Sequence, residues 1–125
     1  MYGFDIDDTL ASTPWKTSKS QVDAVLGAKV IYFPNMPFVA ITARGNDSKV
    51  QAATRTWLKQ HFPKSVGVEF TGGSDKQVIE GKARAIQAHN VTDYVDNNIT
   101  LLHGLQQLLP NVKFYHFDGK KPVAI

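Results

Sequence analysis

No cysteine occurs among the 125 residues, so the chain has no disulfide and no thiolate ligand for a metal, a usage that fits a reducing, cytoplasmic setting. There is no unbroken apolar run of about 18 residues, and no membrane span is expected. A basic stretch leading into an apolar one is also missing before the first motif, so no secretory leader is expected. Internal repeats, low-complexity tracts and long blocks of one charge are absent too. What is present is the composition of an ordinary globule, 42% hydrophobic and 20% charged, of a length that suits a single domain over residues 1–125. The net charge of +3 favours phosphorylated or polyanionic ligands through long-range attraction, although lysines spread over a solvated surface give the same sum.

The densest chemistry lies near the start, where Phe4-Asp5-Ile6-Asp7-Asp8-Thr9-Leu10 puts three carboxylates into four positions. Neighbouring carboxylates repel and raise one another's pKa, so such a cluster calls for a cation. The residues before it, Met1 to Phe4, are short and mostly apolar, as a buried strand is. Side-chain direction in a strand repeats every two residues, so Asp5 and Asp7 point the same way at its carboxyl end, where open α/β sheets bind ligands. Two such aspartates can divide phosphoryl transfer between them. Asp5 attacks phosphorus, and Asp7 protonates the leaving oxygen and then activates water. The plainer alternative is a solvated acidic turn or an Asx cap.

Further along, Ala11 to Ser20 reads as loop, broken by Pro14. Val22, Val25, Leu26, Val30 and Phe33 follow a roughly helical spacing, with Val30 to Phe33 alternatively extended. Phe38 to Ile41 is a short apolar run, the pattern of a central parallel strand, and it leads into Thr42-Ala43-Arg44-Gly45. Asn46 or Asp47 caps a helix with Val50, Ala53, Trp57 and Leu58 on one face. Val66 to Thr71 is the next strand. Ser74 with Gln77 fits a capping box, Gly81 is a weak point, and a second helix start is open near Lys82; Val78, Ile79, Ala83 and Ile86 form the apolar stripe. Tyr94-Val95 delivers Asp96-Asn97-Asn98. Leu101, Leu102, Leu105, Leu108 and Leu109 mark a helix stopped by Pro110, and Val112 to Phe117 a last strand before an Asp118-Gly119 turn. Alternating strands and helices predict a three-layer, Rossmann-like α/β domain with a parallel sheet of about five strands and right-handed crossovers.

The pattern at Asp5, Asp7, Thr9 and Leu10 resembles the first motif of the haloacid dehalogenase-like phosphatase superfamily. Ile41-Thr42-Ala43-Arg44-Gly45, followed by Thr56-Trp57-Leu58, looks like its deoxynucleotidase-like and polynucleotide 3'-phosphatase-like branches. The resemblance implies a Mg²⁺-dependent phosphomonoesterase with an aspartyl-phosphate intermediate. It implies Asp5, Asp7, Thr42 and Lys82 as catalytic residues and Thr42, Ala43, Arg44 and Lys82 as phosphate-binding residues. Mg²⁺ would be held by Asp5, by the main-chain carbonyl of Asp7 and by Asp96. Spacing to Asp96 favours Lys82 over its rival Lys76, and Arg44 either clamps phosphate or braces its loop. Trp15 and Lys16 lie in the family's flap region and either touch substrate or pack locally. Many relatives carry a second acid directly after Asp96 or four positions on; here those positions are Asn97 and Thr100. That departure permits a second reading, a phosphate-binding or protein-interaction module with weakened chemistry. Both intervals where the family inserts a cap domain are short here. A capless site implies a large phosphorylated substrate such as a nucleotide or nucleic-acid end, or a cover supplied by an oligomer or partner. His61, His89, His103 and His116 show no ligand spacing.

Overall fold

A computed structural model describes residues 1–125. In chain order the elements are β1 (Tyr2–Phe4), β2 (Ala11–Ser12), α1 (Gln21–Leu26), β3 (Lys29–Val30), β4 (Phe38–Thr42), α2 (Ser48–His61), β5 (Ser65–Phe70), α3 (Asp75–Ala88), β6 (Asp93–Asp96), α4 (Ile99–Leu108), β7 (Lys113–Phe117) and β8 (Pro122–Ala124). Six strands make one sheet in the order β5-β4-β1-β6-β7-β8, and β2 pairs antiparallel with β3 as a separate small ribbon. The first five strands of the large sheet are parallel. The chain therefore builds outward from β1 to β4 and β5, then crosses back to β6 on the other side of β1. That places the reversal of winding, where doubly wound sheets open a crevice, between β1 and β6.

The central strands β1, β4 and β6 are short and buried on both faces because helices cover both, and period-two alternation divides their side chains between two cores. Phe4, Phe38, Ala40 and Val95 face Val25 of α1 and Val50, Ala53, Trp57 and Leu58 of α2. Val39, Ile41, Tyr94 and Phe114 face Val78, Ala83 and Ile86 of α3 and Leu101, Leu102 and Leu105 of α4. Trp57 fills the first core and donates its indole N–H to the Ala28 carbonyl at 3.0 Å, which satisfies the polar end of a buried ring. The result is the expected three-layer, Rossmann-like α/β architecture.

Four details depart from the sequence reading. The sheet has six strands, not about five, because Pro122–Ala124 folds back antiparallel on β7 after a turn in which the Asp118 carboxylate accepts the Lys120 and Lys121 amides. The supposed loop from Ala11 begins with a strand whose partner is Lys29–Val30, so Val30 is extended and α1 ends at Leu26, with Leu26 and Phe33 exposed. Leu108 is exposed, since α4 turns that position away from the sheet. Finally, α3 starts at Asp75, where Gln77 Oε1 accepts the Ser74 N–H at 3.0 Å, and runs unbroken through Gly81. Lys82 is thus in the middle of a helix, not at its start. Gly81 is there for closeness: a Cβ at this position would lie 2.9 Å from Thr71 Cβ, so only glycine lets α3 approach the end of β5.

Candidate active site

Asp5 follows β1 directly, and its N–H donates to the Val95 carbonyl at 2.9 Å, extending the β1–β6 ladder by one bond. Asp96 is the last residue of β6. The two acids therefore stand side by side at the carboxyl ends of adjacent central strands. Lys82 reaches them from α3, with Nζ 3.0 Å from Asp5 Oδ1 and 2.7 Å from Asp96 Oδ2. All three side chains are nearly inaccessible to solvent. Tyr94, two residues before Asp96 on the same side of the strand, donates its hydroxyl to Asp96 Oδ2 at 2.7 Å. Thr9 donates to Asp5 Oδ2 at 3.3 Å, and the Asn98 N–H donates to Asp96 Oδ1 at 3.0 Å.

A tight turn carries the chain from Asp5 to β2. The Ile6 carbonyl accepts from the amides of Thr9, Leu10 and Ala11, and Asp8 takes a φ of 62°, a left-handed conformation that aspartate tolerates better than most residues. Asp7, in this turn, is held by a planar fork: Arg44 Nε lies 3.1 Å from Asp7 Oδ2 and Arg44 Nη2 lies 2.9 Å from Oδ1. The same guanidinium donates to Thr54 of α2 at 2.9 Å and to Thr13 at 3.2 Å, and it lies over the Trp15 ring at 5.1 Å. Arg44 is buried and braces the turn against α2, and both the Arg44 fork and Thr13 constrain Asp7. Asp7 nonetheless keeps 32% of its side chain exposed.

These groups line a cavity of about 500 Å³ with Asp5, Asp7, Ala43, Lys82, Asp96 and Asn97 on its wall. Its size suits a small ligand or one end of a larger one. Thr42 is buried beside it, its hydroxyl accepting the Arg44 N–H at 3.2 Å, and Ala43 is the residue of that strand end which meets the cavity. Lys76 is exposed on the first turn of α3, outside the wall, whereas Lys82 is part of it. None of the four histidines lines the cavity; His89 pairs with Glu69 at 2.9 Å, and His116 donates to the Asn97 carbonyl at 3.0 Å.

Two carboxylates share one ammonium, and the surplus negative charge shows in the ionisation of the cluster. Burial pushes Asp5 up to about 7, with the Lys82 charge pulling it back and Asp96 adding to the rise. Burial opposes the Lys82 ammonium, but the charges of Asp5 and Asp96 outweigh it and hold Lys82 above its ordinary value. Burial, together with the neighbouring carboxylates, keeps Tyr94 well above its usual range, so it stays a donor.

Asn97 completes the cluster. The end of its side chain facing the acids meets only acceptors, so that end is the NH₂: Nδ2 then donates to Asp5 Oδ2 at 3.0 Å, the Asp7 carbonyl at 3.2 Å and Asp96 Oδ1 at 3.3 Å. Those three oxygens are the donors that the sequence reading assigned to Mg²⁺. They do not amount to three ionisable side chains around one point, being two carboxylates and a main-chain carbonyl. Chemically they fit the ion: all are hard oxygens, they converge on one position, and the cavity leaves room for the waters that Mg²⁺ retains.

Sequence reasoning missed three contacts here. Tyr94 was detectable, since residues two apart on a strand share a face. The Arg44–Asp7 fork spans 37 positions and the Asn97 amide reaches back across the whole domain, and no local pattern announces either. No helix is long and apolar enough to cross a membrane. The chain matches no protein-family model, and comparison with curated proteins and with solved structures returns no match either.

Proposed function

We propose that this protein is a Mg²⁺-dependent phosphomonoesterase of the haloacid dehalogenase-like type, capless, acting on a terminal phosphate of a nucleotide or nucleic acid. The observation that carries the reading is the meeting of Asp5, Lys82 and Asp96, residues from three distant segments, on the wall of one cavity at the reversal point of the sheet. An acid–ammonium–acid arrangement beside a third aspartate, Asp7, is what an aspartyl-phosphate cycle needs: a nucleophile, a fixed positive charge for the transferring group, and a proton carrier.

In this cycle an Asp5 carboxylate oxygen bonds to phosphorus as the ester oxygen departs, taking a proton from Asp7. Asp7 then removes a proton from the water that attacks the aspartyl-phosphate, which releases inorganic phosphate and restores Asp5. Lys82, whose ammonium is already fixed at Asp5, offsets the charge of the bound phosphoryl group. Arg44 positions Asp7 through its fork, and Ala43, just past the strand end at Thr42, forms the adjoining wall for phosphate oxygens. Asp5, the Asp7 carbonyl and Asp96 would hold Mg²⁺, which when bound shields the attacking carboxylate from the substrate's negative charge. The alternative of a binding module draws on one feature, that every buried side-chain polar atom of the cluster has a partner without a cation.

The test is Mg²⁺-dependent release of phosphate from an aryl phosphate, then from nucleotides and from 3'- or 5'-phosphorylated oligonucleotides. Asp5→Asn is expected to lower turnover on the order of a thousandfold or more. Unchanged turnover in that variant removes Asp5 as nucleophile, and metal-independent binding of oligonucleotide without turnover points to the module.

A further inference from the structure

We propose that the side-chain amide of Asn97 is the resident occupant of the cation position, and that a divalent cation enters by displacing it. This rests on the reading of the site given above and concerns how that site is loaded. Nδ2 lies within 3.3 Å of Asp5 Oδ2, the Asp7 carbonyl and Asp96 Oδ1, so the amide and a cation would compete for the same three oxygens. An NH₂ group carries two hydrogens and faces three acceptors here, so it cannot serve all three fully. The longest of the three contacts falls on Asp96 Oδ1, which already accepts the Asn98 N–H at 3.0 Å. The amide therefore closes the cluster without saturating it.

The rest of Asn97 is arranged for the side chain to leave. Its main-chain carbonyl is anchored by the His116 ring N–H at 3.0 Å, so the backbone is held at β7. Its side chain is half-buried and lines the cavity of about 500 Å³, which is space for rotation. An aspartate at this place would add a third carboxylate to the cluster and demand a cation permanently. The amide instead gives the metal-free protein a neutral donor that lowers the repulsion between Asp5 and Asp96. Cation affinity is thereby weakened by the bonds the amide must give up.

The experiment is calorimetric titration of the full chain with Mg²⁺, and separately Mn²⁺, for the native protein, Asn97→Ala and Asn97→Ser, together with thermal unfolding in EDTA. Removing the competitor is expected to tighten Mg²⁺ binding roughly tenfold in both variants and to lower their unfolding midpoints in EDTA. Serine, small and polar, keeps the comparison open should the alanine variant fail to fold. Affinity that is unchanged or weaker in the variants, with the native protein still binding, overturns the displacement and leaves the phosphatase reading standing. Absence of cation binding in every form overturns both.

Discussion

Replacement of Lys82 by Met isolates the electrostatics of the core of this site. The substitution keeps the length and apolar stem of the side chain and removes only the ammonium, so helix α3 and its packing are retained. What is left is a pair of buried carboxylates, Asp5 and Asp96, each of which has lost its closest charged partner at 3.0 and 2.7 Å. Removing one partner of a buried ion pair costs about 3–5 kcal/mol, because the remaining charge is desolvated and unpaired. For a domain of this size that corresponds to a fall in unfolding midpoint of roughly 10–20 °C. The assay is urea and thermal unfolding in EDTA at about pH 8.5, above the raised Asp5 value, so that Asp5 is ionised in the native protein. It should be made in a cycle with Asp5→Asn: once Asp5 is neutral, only one carboxylate is orphaned, and the cost of Lys82→Met is expected to shrink by at least about 1.5 kcal/mol. A loss below about 1 kcal/mol in the native background, or the same loss in both, would refute the claim that this ammonium holds the two acids together.

The raised ionisation of Asp5 gives a pH dependence of known sign. Its value moves from 3.8 when unfolded to about 7 when folded, so between these the native state binds more protons, and metal-free stability declines as pH rises through that window. Integrated over this window, the titration of Asp5 together with its Lys82 and Asp96 partners lowers stability by on the order of 4 kcal/mol, and Asp5→Asn is expected to flatten the dependence in unfolding experiments from pH 4 to 8; an unaltered dependence would place the titrating group elsewhere. At Gly81, alanine gains about 1 kcal/mol of helix propensity but puts a methyl 2.9 Å from Thr71 Cβ. Overpacking of this kind costs about 1–3 kcal/mol, so Gly81→Ala is expected to destabilise the fold on balance, and a rise in unfolding midpoint would contradict the close approach of α3 to the end of β5.

Much of this architecture was legible in single segments of the sequence. The unbroken apolar run Phe38 to Ile41 marked a strand covered on both faces, and Asp47 and the Trp57 stripe marked α2, whose N-terminal amides at Lys49 and Val50 the Asp47 carboxylate does accept. Asp5, Lys82 and Asp96, which the resemblance and the spacing of Lys82 to Asp96 single out together, meet within hydrogen-bonding distance. What escaped was whatever depends on contact between remote parts. Gly81 reads as a weak point of the helix because local propensity counts against it, yet the closeness of Thr71 requires a residue without Cβ there. The strand at Pro122–Ala124 is three residues long and begins with proline, too weak a pattern to identify without β7 beside it. Local sequence does not separate a phosphate clamp from a loop brace at Arg44, because its partners Asp7, Thr13 and Thr54 lie on three different segments.

The place of β1 in the middle of the sheet has a consequence for how the molecule holds together. Tyr2, Gly3 and Phe4 are matched on one side with Phe38, Val39 and Ala40 and on the other with Asp93, Tyr94 and Val95. Withdrawing these few residues would not trim a margin but would part the domain down its midline, leaving two raw seams facing each other. Strand β1 is thus the keystone of the domain, and the Asp5 carboxylate hangs from the same stone.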